Sequence, residues 1–209
     1  MRNRFLLFFI FVCFFVFSCG EKKKVLPEKQ EVSKAIFERI EILDNSHKVI
    51  LTIQPETREI IKLVDEKNKN AGKISIRENK LKLYDESDKL VWIIKKKEDK
   101  YKILNVYEQE VFSIKRKEGG FRVKDKNGKI IAKIKPKNSK FKVSDEIGNL
   151  FGKVDKKGDE IKIKDSKGNT LYRIRENINT EYAGFLLLPD LSLIQKSSIL
   201  VAFLVFEKG

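Results

Sequence analysis

The chain has 209 residues, two cysteines, one histidine and a formal net charge of +15. So few thiols and imidazoles exclude a disulfide-stapled scaffold and a zinc site built from Cys and His ligands. The basic balance favours anionic partners such as lipid headgroups or acidic glycans, and equally suits a plainly solvated surface.

The amino terminus, Met1-Arg2-Asn3-Arg4, is basic, and residues 5–17 carry no charge. This is a positive segment followed by an apolar one of signal-peptide length, short of the roughly 20 residues that span a membrane. It ends in Val16-Phe17-Ser18-Cys19-Gly20, which resembles the lipobox of bacterial lipoproteins, with Phe17 where a small or aliphatic residue is usual. The resemblance implies a signal peptide over residues 1–18, cleavage before Cys19, and lipidation of Cys19. It also implies a place in the cell envelope, most often on the outer membrane. An uncleaved anchor helix or plain secretion are the alternatives. An exported chain is not expected to meet nucleic acid. Residues 19–33 are charged and proline-bearing and read as a tether. Residues 34–209 are enough for one domain with its own core.

That domain carries an internal repeat of 20 residues. Apolar pairs recur at Ile61/Leu63, Leu81/Leu83, Tyr101/Ile103, Phe121/Val123, Phe141/Val143 and Ile161/Ile163. Each pair is followed by a turn former: Asp65, Asp85, Asn105, Asp125, Asp145 or Asp165. A second apolar cluster follows at positions such as Val91/Ile94, Val111/Ile114 and Leu171/Ile174, with Ala71/Ile74 the weakest copy. The alternation of Ile161-Lys162-Ile163-Lys164 has the period of a half-buried strand, and Asn127-Gly128 supplies positive φ at a hairpin. With a less regular hairpin around Asp44-Asn45, six or seven hairpins run in series, an all-β meander.

The carboxyl terminus differs. Residues 191–206 are mostly apolar, and Ser192-Leu193-Ile194-Gln195 fits the capping box that opens a helix. A helix apolar around most of its circumference needs burial on all sides, which the axis of a closed sheet offers. Serial hairpins followed by such a helix resemble the tubby C-terminal superfamily, in particular its LURP-one-related and phospholipid scramblase branches. The local match is Leu191-Ser192-Leu193-Ile194-Gln195 with Ala202-Phe203, although Leu193 stands where that family has proline. The resemblance implies an antiparallel barrel of about twelve strands enclosing the helix, and a role at membranes. A β-hairpin solenoid is the alternative for so regular a repeat.

Little points to catalysis. His47 falls in a predicted turn, and the turn aspartates lack the further ligands of a calcium loop. No catalytic residue, metal site or cofactor is expected. One pattern does carry chemistry: a basic residue stands between the members of every apolar pair, namely Lys62, Lys82, Lys102, Arg122, Lys142 and Lys162. Facing outward, these six form a basic belt, with Lys133, Lys153 and Arg173 adding charge on the return strands. The belt is expected to bind phosphate or carboxylate groups of anionic lipid or an acidic envelope component, with return strands that separate like charges and can carry acids between them. The other readings are a solvated face that discourages edge pairing, a module that docks an envelope protein, and a small-lipid carrier or enzyme using the barrel interior.

Overall fold

The computed structural model describes residues 37–207; the expected leader, Cys19 and the tether lie outside them. Fourteen strands follow one another: β1 (Ile40–Leu43), β2 (Val49–Pro55), β3 (Ile60–Asp65), β4 (Asn70–Arg77), β5 (Lys80–Asp85), β6 (Leu90–Lys97) and β7 (Lys100–Leu104) make the first half. The second half is β8 (Glu110–Lys117), β9 (Gly120–Asp125), β10 (Ile130–Lys137), β11 (Lys140–Ser144), β12 (Leu150–Lys157), β13 (Glu160–Asp165) and β14 (Thr170–Ile174). Each pairs antiparallel with the next. A short ladder, Ile42 opposite Ile174 and Leu43 opposite Arg173, closes β1 on β14. The sheet is therefore a closed barrel, and the solenoid alternative falls with that ladder. The strand number is fourteen rather than about twelve because all seven hairpins of the series enter the sheet.

Two kinds of turn alternate. At one end, which we call the mouth, a three-residue loop joins each odd strand to the next even one. The acid or amide that opens it caps it: Asp65 Oδ1 accepts from the backbone N–H of Lys67 and Lys69, both at 2.8 Å. The loop ends in a left-handed residue, Asn68 at φ 57° or Gly128 at φ 86°, as a type I turn completed by one positive-φ residue requires. At the other end most links are two-residue turns with positive φ, such as Asn138-Ser139 between Lys137 and Lys140.

Just beyond every mouth turn the even strand bulges. Leu83 pairs with Trp92 and Tyr84 with Leu90, which leaves Val91 as an extra residue. The same happens at Ile50, Ala71, Val111, Ile131, Phe151 and Leu171. All seven extra residues are apolar, and they ring the mouth at one height. Bulges sharpen local twist, which a closing sheet needs.

The interior is filled from the carboxyl-terminal side. Helix α1 (Thr180–Ala183), capped by Asn179, runs into a 3-10 turn over Gly184–Leu187, and α2 (Leu193–Phe206) follows. Ser192 and Gln195 form the expected capping box. Tyr182 and Phe185 share the interior with α2. Phe203 of α2 stacks on Phe185 at 4.5 Å and meets Tyr101, Phe121 and Tyr182 at 4.1, 4.9 and 5.5 Å between ring centroids. Where α2 ends, cations meet its carbonyl end: Lys96 Nζ donates to the Phe206 carbonyl, and Arg116 donates to Glu207 at 3.2 Å and Glu181 at 3.0 Å. Glu207 also accepts from the Tyr101 hydroxyl at 2.6 Å.

Candidate anion-binding face

The six basic residues singled out by the repeat stand on β3, β5, β7, β9, β11 and β13, all odd strands with inward-facing neighbours, so they point outward around the barrel. They do not act alike. Lys62 pairs with Glu56, Lys102 with Glu110 at 2.7 Å, and Lys162 with Glu160 at 3.3 Å. Among the described residues, no carboxylate lies within 4.0 Å of Lys82, Arg122 or Lys142.

The expectation that even strands interpose acids holds at Lys140, which is opposite Asp155, and fails around Arg122 and Lys142. There Arg122 faces Lys115 on one side and Lys133 on the other, and Lys142 faces Lys135 and Lys153. Register sets this: odd-numbered lysines of the even strands share a rung with even-numbered cations of the odd strands. Like charges directly opposite are destabilising in a sheet. Other cations are answered, Lys115 by Asp99 at 3.0 Å and Lys140 by Asp155 at 3.5 Å beside this set, and Lys73 by Asp88 at 2.7 Å, Lys95 by Glu108 at 2.6 Å and Arg173 by Glu160 at 2.7 Å farther round the barrel.

Two shallow recesses lie on this face. One, of about 270 Å³, is lined by Lys137, Asn138, Lys140, Lys142 and Lys153. The other, of about 420 Å³, lies over Gly120 and Phe121 and is bordered by Lys117, Glu118, Arg122 and Lys135. The Lys142 ammonium sits against Lys137, and this contact, with burial and the charge of Lys153 adding to it, holds its pKa below the ordinary lysine value. The buried Nε of Arg122 has no hydrogen-bond partner among the described residues. An anion seated between Lys137, Lys142 and Lys153 would relieve the Lys142 repulsion.

Lys135 and Lys137 escaped the sequence reading, although Lys133-Ile134-Lys135-Pro136-Lys137 alternates as plainly as the repeats that were used. The turn acids are engaged in their own turns: Asp125 Oδ1 accepts from Asn127 and Lys129 N–H groups, both at 2.9 Å. His47 is the left-handed residue of the first mouth turn, with its Nδ1 2.9 Å from Arg175 Nη2. Among the described residues, no three His, Cys, Asp or Glu side chains converge as a metal ion would require.

No family model matches the chain, and no curated protein matches it. Among solved structures, it is similar to the AT5G01750 protein of Arabidopsis thaliana, at 16% identity and a TM-score of 0.39, over 64% of this chain and 82% of that one.

Proposed function

We propose that this chain is a membrane-tethered binding module, a lipoprotein with a tubby-like barrel, whose basic face over β8–β12 binds anionic lipid headgroups. The observation that carries this reading is that Arg122, Lys133, Lys135, Lys142 and Lys153 face one another across the strands with no carboxylate within 4.0 Å among the described residues. A closed sheet has no long edge to guard, so protection against edge pairing does not account for them. With α1, the 3-10 turn and α2 occupying the interior, the outer face and the mouth are the surfaces left for recognition, which favours binding over catalysis. The lipobox-like Val16-Phe17-Ser18-Cys19 supports the tether, and a helix enclosed in an antiparallel barrel supports the tubby-like relation.

The test uses the compact unit Ser33–Gly209, which contains the whole closed sheet and the helices that fill it. Binding to vesicles is measured against anionic lipid content and salt. It is expected to rise with anionic lipid, to fall steeply with salt as electrostatic attraction is screened, and to be lost in Arg122→Glu/Lys142→Glu/Lys153→Glu. Equal binding to neutral vesicles, or salt-independent binding, would count against the proposal.

A further inference from the structure

The two ends of the barrel differ in character. Five large hydrophobic side chains are exposed among the described residues, Val106, Tyr107, Val111, Ile147 and Leu171, and all five belong to the mouth. Tyr107 and Ile147 are the most exposed, at 80% and 85%, and each sits at the tip of a mouth turn, β7–β8 and β11–β12 respectively. Val111 and Leu171 are bulge residues. The two-residue turns at the opposite end are polar throughout: Glu78-Asn79, Glu98-Asp99, Glu118-Gly119, Asn138-Ser139 and Gly158-Asp159. Scattered surface hydrophobics need no explanation, whereas a set confined to one end of a barrel does.

The β9–β10 turn lies between those two tips and carries Lys126 and Lys129. Behind the Ile147 tip, Lys133 stretches along the barrel until its Nζ donates to the Glu146 carbonyl at 2.8 Å, so one cation of the basic face reaches the mouth itself. Beneath these turns lies a largely apolar cavity of about 440 Å³, walled by Val91, Trp92, Val111, Ile131, Leu188 and Leu191. Apolar tips beside lysines that can snorkel are the features by which a surface settles at the level where headgroups meet acyl chains.

We infer that the mouth is a membrane-insertion face: Tyr107 and Ile147 enter the acyl boundary of an anionic bilayer while Lys126, Lys129 and Lys133 hold its headgroups. The inference shares an anionic membrane with the reading above but adds a separate contact at the mouth, because the recess of Lys137, Asn138 and Lys140 borders a turn at the other end of the barrel. The tether is compatible in length. The chain enters the barrel at the end away from the mouth, because β1 runs toward its mouth turn at Asp44. A lipid on Cys19 would precede Phe37 by 18 residues, and at roughly 3.3–3.6 Å per extended residue that length can pass the barrel wall and reach the same bilayer.

The test sets Tyr107→Ser/Ile147→Ser beside the unaltered unit Ser33–Gly209, on vesicles of mixed phosphatidylglycerol and phosphatidylcholine. Both positions are exposed, so thermal unfolding should be unchanged while partition to vesicles falls about tenfold or more. As a second measurement, Tyr107→Trp is expected to be quenched by lipids brominated along the acyl chain; Trp92, at 4% exposure, remains unquenched. Undiminished binding by the serine variant, or an unquenched Trp at position 107 on vesicles that hold the protein, overturns the insertion face. If the glutamate triple variant still loses binding in that case, headgroup recognition stands without insertion. If the unaltered unit binds no anionic vesicle, both readings fall together.

Discussion

Ser198 is fully buried in α2, and its Oγ accepts from Trp92 Nε1–H at 2.9 Å while donating to the Gln195 carbonyl at 2.8 Å. Ser198→Ala strands the indole N–H in an apolar interior, and we expect a loss of about 1–3 kcal/mol in urea unfolding. Adding Trp92→Phe to that variant removes the stranded donor, so the pair should cost less than the sum of the two single changes. A second residue-scale effect concerns acid. Three turn carboxyls, Asp44, Asp65 and Asp165, sit below the ordinary carboxylate range because they accept hydrogen bonds in the folded chain, from the Ser46 hydroxyl, the Lys69 N–H and the Asn169 amide respectively. Groups depressed by folding contribute stability that is present above the unfolded pKa and lost as pH falls through the folded one. Melting temperature should therefore be level near neutrality and decline below about pH 4; a barrel that melts higher in acid would contradict this. All these turns are exposed, so each contribution is small. At this scale the outward positions of Lys62, Lys82, Lys102, Arg122, Lys142 and Lys162 were legible from alternation alone. Which of them meet an acid was not, because alternation fixes the face of a strand while cross-strand register fixes the partner.

Among the elements, the bulges explain a spacing that a flat strand does not. Val91 and Ile94, or Val111 and Ile114, are three residues apart and would lie on opposite faces of an unbroken strand. One extra residue at the bulge resolves this. Trp92 and Ile94 line the interior, and Val91 is left at the rim. The spacing was visible in the sequence, whereas its meaning needed the pairing. The capping box of α2 was legible because it is local, two side chains three residues apart. The α1 and 3-10 segment was missed: α1 is a single turn with no periodicity, and its only sequence signal is the apolar run Phe185-Leu186-Leu187-Leu188 before Pro189. Its packing nevertheless fixes α2. Phe203 touches aromatics from β7, β9, α1 and the 3-10 turn, so Phe203→Ala should cost about 3–5 kcal/mol in chemical unfolding. Gly152 marks where that segment runs close to the wall. A Cβ there would stand 2.1 Å from the Lys164 carbonyl oxygen and 2.8 Å from Leu187 Cδ2. Gly152→Val should accordingly abolish cooperative folding.

For the barrel as a whole, the weakest line is its seam. The β1–β14 ladder holds two residue pairs, whereas β12–β13 holds six. Amide exchange should be fastest along β1 and β14 and slowest between β8 and β10; uniform protection would show that closure is as firm as the hairpins. Deleting residues 199–209 removes Leu200, Phe203 and Leu204 from the core and should leave a chain without a cooperative transition. The plug also has a numerical consequence. Because the hairpins repeat at 20 residues and mostly pair with their sequence neighbours, loss or gain of one unit would leave every remaining hairpin intact. Only the circumference would change, by two strands. A hollow barrel would tolerate this, since nothing inside measures it. Here α1, the 3-10 turn and α2 occupy a fixed cross-section, so a twelve-strand ring would be too tight for them and a sixteen-strand ring too loose. The terminal helices thus serve as a gauge for a repeat that has no count of its own, and chain length in this architecture is set from the inside.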